Sequence, residues 1–266
     1  MTVTRYTARA EVGLGPGEPV VEPHDEVSTS EDGRQSSDTL SDPHARVRGR
    51  RMQDALTGGN NPLSISSRLR RHRFEALLRA FPDLADMSVV DLGGRPSMWQ
   101  QLPVRPRRVV CVNFEAHESP GDWLLTVQGD ACDFPAIERL GPFDLAFSNS
   151  TIEHVGGHAR RVEFANAIRS LASRYWVQTP NRYFPVEPHA VFPAFQFLPI
   201  RLRASVARRW PLSPLGNDGD LIDEILSIEL LSATDLRFYF PEARIWRERV
   251  AGLTKSLSAY HDATTR

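Results

Sequence analysis

The stretch Val89-Val90-Asp91-Leu92-Gly93-Gly94 constrains this chain more than any other. A short apolar run ends in a carboxylate and turns at once on two glycines. Runs of that kind read as strands buried on both faces, the usual state of a parallel sheet covered by helices. Glycines lack a Cβ and let the following loop pass close to a bound group. The acid stands at the strand's carboxyl end, where open α/β sheets bind their ligands, and can accept hydrogen bonds from an amine or from ribose hydroxyls. A ligand-binding α/β sheet is therefore the first expectation.

Other segments supply the rest of that sheet. Apolar runs at about Arg108–Val112, Leu124–Val127, Leu145–Phe147 and Tyr175–Gln178 follow a first strand at Ser88–Leu92. Leu69, Phe74, Leu77, Leu78 and Phe81 recur at helical spacing up to the break at Pro82-Asp83. Val162, Ala165, Ile168 and Leu171 mark a helix over about Ala159–Ala172. Further helices are expected from Ile222 to Leu231 and after Ser232, which forms an N-capping pair with Asp235. Ala243–Val250 and Ser256–Tyr260 read as closing strands joined by Ala251-Gly252. Strands separated by helices imply a doubly wound, Rossmann-like sheet, mostly parallel, and the closing pair implies one antiparallel edge.

Residues 11–42 hold nine acids against one base, Arg34, so they carry too little apolar surface to offset the entropy of ordering. With the basic cluster Arg46, Arg48, Arg50 and Arg51 behind them, residues 1–60 are expected to be a disordered, acidic-then-basic tail. One domain is expected over 61–266, with a Pro- and aromatic-rich insertion at about 179–214.

The net charge of −1 gives no global reason to expect nucleic acid or an anionic membrane as partner. The apolar stretch Tyr183–Leu202 is broken by Pro185, Pro188, Pro193, Pro199, Glu187 and His189, and no transmembrane segment is expected. No basic n-region followed by an apolar run opens the chain, so no signal peptide is expected. The two cysteines, Cys111 and Cys132, suit neither a disulfide framework nor a zinc spacing. A reducing cytoplasm is expected, and a metal site is not. Lys255 is the only lysine, which removes most candidates for a catalytic amine.

The polar tips after the strands carry the candidate chemistry. Asn113, 22 residues beyond Asp91, stands where a nucleotide fold places its ribose-binding acid, with Glu115 close behind. Gly129-Asp130-Ala131 follows the third strand, from which an acid can hold the exocyclic amine of a base. Asn149 through Glu153-His154 follows the fourth, at the mouth of the sheet. After the fifth, Asn181, Arg182, Glu187 and His189 ride on a Pro-braced loop past the same edge, where a binding group belongs.

Taken together, these residues resemble the class I S-adenosylmethionine-dependent methyltransferases, in particular the type 11 group. Val89–Gly94 resembles the first motif of that family, Gly129-Asp130-Ala131 its adenine-side motif, and Phe143–Val155 its fourth-strand motif. Thr179-Pro180-Asn181-Arg182 with the later Pro188-His189 is similar to segments of type 11 relatives. The resemblance covers about Ser88 to Trp176. It implies a seven-stranded sheet with an antiparallel last strand, S-adenosylmethionine over strands one to four, and a substrate above strands four and five. Carried onto this sequence, it implies cofactor contacts from Asp91, Gly93, Gly94, Asn113, Asp130, Ala131 and Asn149. Two positions depart from the family pattern. Arg95, Pro96 and Ser97 stand where more glycine is usual, and Asn113 replaces the usual acid, so Asn113→Asp is expected to tighten binding.

The expected reaction is methylation of a small molecule, a glycan or a lipid headgroup. Where the acceptor is a hydroxyl, a base must take its proton, and His154 and His189 have suitable ordinary pKa values, with Glu187 beside the latter. No Asn/Asp-Pro-Pro-aromatic signature of amino-group methylation is present, which favours oxygen or carbon as acceptor. Two alternatives remain. A catalytically silent binding protein on the same fold is kept open by Arg95 and Asn113. A nicotinamide oxidoreductase is disfavoured by the missing G-x-G-x-x-G and by the lack of a tyrosine four residues before Lys255.

Overall fold

A computed structural model describes residues 65–213, 215 and 220–263, with side chains from Arg70 onward. The tail expected over 1–60 and the start of the fold near Asn61-Pro62 lie outside these residues.

Helix α1 (Ile65–Ala80) leads into β1 (Ser88–Leu92), α2 (Pro96–Gln100), β2 (Arg108–Asn113), β3 (Leu124–Gln128), α3 (Phe134–Glu138), β4 (Leu145–Asn149), α4 (Gly157–Leu171) and β5 (Arg174–Pro180). A small hairpin of β6 (Val186–Glu187) and β7 (Phe192–Pro193) follows, then α5 (Ile200–Arg209), α6 (Leu221–Ser227), α7 (Ala233–Tyr239), β8 (Arg244–Val250) and β9 (Leu253–Asp262). Seven strands form one sheet in the order β3-β2-β1-β4-β5-β9-β8. The first five run parallel, and β9 lies antiparallel between β5 and β8. This is the doubly wound sheet with an antiparallel last strand that the sequence implies.

The strand residues alternate between two cores because successive side chains point to opposite faces. Val89, Val109, Leu145 and Trp176 pack against Leu77 and Phe81 from the first helical segment and Trp99 from α2. Val90, Val110, Ala146, Tyr175 and Val177 pack on the other face against Phe164 and Ile168 of α4 and Leu236 of α7. Ser232 and Asp235 make the expected capping box at α7. The β8–β9 turn places Ala251 and Gly252 at φ 48° and 81°, as a two-residue hairpin turn requires.

Two expectations change. The helix expected from Ile222 to Leu231 stops at Ser227. Beyond it, Glu229 N donates to Glu153 O and Leu231 O accepts from Arg182 N, so the backbone there serves the loops after β4 and β5. The insertion, for which the sequence suggests only a loop, carries the β6–β7 hairpin and α5. Its inward residues Ala190, Phe195, Ala204 and Ala207 join Leu221 and Ile225 in a separate third core. The inward face of α5 is marked only by small alanines, which hides its periodicity from the sequence.

Candidate active site

Strand β1 ends at the turn that joins the sheet's two halves, since β2 lies on one side of it and β4 on the other. Leu92 O accepts from Ser148 Oγ at 2.8 Å and Thr151 Oγ1 at 3.1 Å, which fixes the β4 loop against the glycine turn. Asp91 is fully buried, and its Oδ2 accepts from Trp99 Nε1 at 2.7 Å. Its Oδ1 has no hydrogen-bond partner. Burial raises this carboxyl to about 7, against a smaller lowering by the Trp99 hydrogen bond.

The glycines also make room for the protein's own side chains. Gly93 has φ 81°, and a Cβ there would meet the Thr151 side chain; a Cβ on Gly94 would strike the Asp91 carboxylate. The turn is tight because the protein's own side chains fill the space beneath it. Arg95 has φ −116° and ψ 139° and precedes Pro96 at the start of α2. It needs no glycine conformation, so this departure from the family pattern is structurally neutral.

Asn113 is engaged within the protein itself. Its Nδ2 donates to both Gly93 O and Gly94 O at 3.1 Å, while its Oδ1 accepts from Glu115 N at 3.0 Å. The amide nitrogen thus clamps the glycine turn with both its hydrogens, which leaves only the second lone pair of Oδ1 for a ligand. Asn113→Asp would set a carboxylate against two carbonyl oxygens. The variant is expected to lose about 1–3 kcal/mol of stability in urea unfolding and to bind nucleoside ligands more weakly, the reverse of the expectation from sequence. Unchanged stability would show that the clamp contributes nothing.

Asp91, Gly93, Gly94, Asn113 and Asn149 do converge, on a cleft of about 560 Å³ at the carboxyl ends of β1, β2 and β4. That volume suits a nucleoside-sized ligand. Glu115 also lines it, although β2 has ended, because the Asn113 Oδ1–Glu115 N bond turns the chain back. Among the described residues the Glu115 carboxylate pairs with Arg95, at 3.0 Å, and His117, at 3.7 Å. Glu115 and Arg95 are both well exposed, so the contact is worth little and the carboxylate changes partner cheaply. Asn149 Oδ1 accepts from Arg73 at 2.8 Å, and Arg73 reaches on to buried Glu248 at 3.0 Å.

Asp130 and Ala131 are not among the residues lining this cleft. Asp130 accepts from Cys132 N at 2.9 Å and pairs with Arg160 at 2.5 Å, and Ala131 is buried in the core beside α4.

A few residues further along the β4 loop, a second group of side chains converges. Glu153 is 1% exposed, and its Oε2 accepts from Thr179 Oγ1 of β5 at 2.9 Å. Its Oε1 is buried with no partner. Burial again raises the carboxyl, to about 7. His154 faces His189 edge-on, Nε2 to Nε2 at 3.1 Å. The other ring nitrogen of His189, Nδ1, meets Glu187 Oε1 at 2.6 Å, and Glu187 Oε2 accepts from Ala190 N at 2.5 Å. Desolvation and then the charge of His189 push His154 below its usual pKa. For His189 burial acts downward, but the hydrogen bond and charge of Glu187, joined by Glu153, outweigh it and raise the pKa.

The β6–β7 hairpin is what delivers His189. Val191 within it and Ala194 just after it sit at φ 51° and 55°, and a β-branched residue such as Val191 is strained there. His154, His189 and Glu187, which consecutive parallel strands are expected to send to one cleft, form one constellation. Glu153 was not singled out as a site residue, and no metal-ligand spacing links positions 153, 154 and 189. The grouping nevertheless brings a carboxylate oxygen and two imidazole nitrogens within 4.8 Å of one another.

No family model matches the chain, and no curated protein matches it. Among solved structures, it is similar to a SAM-dependent methyltransferase from Anabaena variabilis ATCC 29413, at 13% identity over 70% of this chain and 82% of that one, TM-score 0.43. It is similar to the magnesium protoporphyrin IX methyltransferase from Synechocystis PCC 6803 at 12% identity, over 81% and 94% of the two chains, TM-score 0.45. A possible exported protein from Bordetella parapertussis is similar at 15% identity, over 83% and 86%, TM-score 0.47. Likenesses this distant leave the function to be argued from the site itself.

Proposed function

We propose that the chain is a cytoplasmic methyltransferase that holds S-adenosylmethionine in the cleft over β1, β2 and β4 and methylates an oxygen or carbon acceptor on a small molecule, glycan or lipid headgroup. The observation that carries this reading is the pairing of two carboxylates across the cleft. Asp91 offers a buried, unpartnered oxygen beneath the glycine turn, suited to a cationic amino group, and Glu115 offers a readily released carboxylate at the rim, suited to ribose hydroxyls. When bound, the cofactor supplies an electrophilic methyl on a sulfonium. The chain's own part is to align that group with the acceptor and exclude water, since such a transfer needs orientation more than covalent help from the protein.

The acceptor side is assigned to His154, His189 and Glu187. Asn149 and Ser150 line the cofactor cleft while Glu153 and His154 enter the imidazole cluster, so a single short loop borders both. Arg182 and Arg203 line a small cavity of about 90 Å³ behind Glu187, next to the same cluster. Among the described residues no helix is long and apolar enough to cross a membrane.

Calorimetric titration with S-adenosylmethionine tests the reading directly. Saturable binding well below millimolar is expected, and Glu115→Ala is expected to weaken it by about ten- to a hundredfold, the worth of a charge-assisted hydrogen bond pair. No heat of binding at millimolar ligand would overturn the proposal. Binding without turnover on any hydroxyl or carbon acceptor would instead favour the silent binding protein, the reading kept open by Asn113 in place of the family's usual acid.

A further inference from the structure

We propose that Glu153, His154 and His189 form a binding site for a divalent first-row transition cation, with Glu187 orienting His189 from behind. The first support is distance. Metal–nitrogen bonds of roughly 2.0–2.1 Å put two imidazole nitrogens roughly 2.8–3.4 Å apart, from octahedral to tetrahedral geometry. The two Nε2 atoms stand at 3.1 Å, and a carboxylate oxygen of Glu153 lies within 4.8 Å of a ring nitrogen of each histidine.

The second support is the condition of Glu153. This side chain is 1% exposed, and among the described residues Oε1 has no hydrogen-bond partner. A buried carboxylate oxygen left without a partner is costly, and a cation is the partner that a carboxylate flanked by two imidazoles would share. The third is the bond from His189 Nδ1 to Glu187. Metal-bound histidines commonly give their remaining ring nitrogen to a carboxylate, which fixes the ring and leaves Nε2 free to ligate. Glu187 is itself 3% exposed and anchored by Ala190 N, so it is a rigid support.

Two neutral imidazoles alone can share a proton across that Nε2–Nε2 contact. That arrangement satisfies the histidines but leaves Oε1 of Glu153 as it stands, whereas one cation answers all three observations. Two nitrogen ligands with one oxygen suit zinc, manganese, iron or cobalt rather than magnesium or calcium, which prefer all-oxygen shells. With three protein ligands, positions remain open on the exposed side of His154. An acceptor hydroxyl bound there would have its O–H bond weakened and its proton released to solvent, leaving the oxygen as the nucleophile. The use of the site rests on the methyltransferase reading; its existence does not.

The test uses the full chain without a polyhistidine tag, stripped with chelator and titrated with zinc, manganese or cobalt in the absence of any nucleoside. One equivalent per chain is expected to bind, and cobalt is expected to develop visible absorption from mixed nitrogen and oxygen ligation. His154→Ala and His189→Ala should each weaken binding at least a hundredfold. Glu187→Gln should weaken it roughly ten- to a hundredfold, and His72→Ala, on α1 with its ring against Trp246, should leave it unchanged. Circular dichroism of each variant establishes that it is folded; should an alanine variant not fold, His154→Gln and His189→Gln replace it. Absence of one-to-one binding by all three ions at about millimolar concentration would overturn the proposal, as would binding that survives both histidine substitutions. Metal binding without S-adenosylmethionine binding would leave this site standing and remove the function proposed above, and the converse result would do the opposite.

Discussion

Gly94→Ala is expected to lose at least about 3 kcal/mol of folding stability, more than an ordinary glycine substitution in a loop. The added Cβ would fall on the Asp91 carboxylate, and that group has nowhere to go. It is fully buried, short, and tied through Oδ2 to the indole of Trp99, itself 1% exposed. Gly93→Ala meets a milder obstacle in the Thr151 side chain, added to the strain of φ 81°. The mechanism predicts coupling. Asp91→Ala removes the group that Gly94→Ala would strike, so the double variant should be more stable than the sum of the single losses allows, by about 1–3 kcal/mol. Urea unfolding of the four proteins reads this out. A Gly94→Ala protein that unfolds at the parent's midpoint would show that the turn has room to yield.

The positions of the strands were legible because each is a short apolar run, and a run of that kind specifies a buried strand almost by itself. Ser88–Leu92 was placed to the residue, and the β8–β9 hairpin was marked by Ala251-Gly252. What one strand's end does to another was not legible. Asn113 looks like a ligand-binding residue as long as only its distance from Asp91 along the chain is known. In the fold its amide reaches two carbonyls of the neighbouring strand's turn, a contact that exists only once β1 and β2 are paired. Asp130 likewise looked free until Arg160 of α4 was brought beside it.

The imidazole cluster divides the same way. His154, His189 and Glu187 stood out as titratable groups on loops past the sheet edge, which topology alone sends to one place. Glu153 did not, because a glutamate at a helix-like loop start has many uses and only burial gives it significance. A signal was present in its neighbour: Glu153-His154 directly after a strand puts a carboxylate and an imidazole on one short turn. The distance to position 189 depends on the β6–β7 hairpin, whose strands are two residues each and too short to leave a pattern.

Asp91→Asn is expected to stabilise the protein at pH 8 by up to about 4 kcal/mol, with the gain vanishing near pH 4. Burial lifts the Asp91 carboxyl from its ordinary 3.8 to about 7 in the fold. Below pH 4 folded and unfolded chains both hold the proton, and the group has no effect on stability. Between about 4 and 7 the unfolded chain releases the proton while the fold retains it. The parent therefore loses up to about 1.4 kcal/mol for each pH unit of rise, and above 7 the loss is constant. Asparagine escapes the loss, since its Oδ1 can still accept from Trp99 while its amide nitrogen takes the place of the unpartnered Oδ1. Unfolding of parent and variant at pH 4, 6 and 8 gives the difference, and a gap that does not widen with pH would refute the assignment. A protein keeps a destabilising carboxylate where it is used. On the proposed reading the same substitution removes the negative charge that meets the cofactor's amino group, so the stabilised variant should bind S-adenosylmethionine at least about tenfold more weakly. Cofactor binding to the parent near pH 7 should also release a proton from Asp91, read as a binding heat that changes with the buffer's ionisation enthalpy. In Asp91→Asn that buffer dependence should shrink together with the affinity.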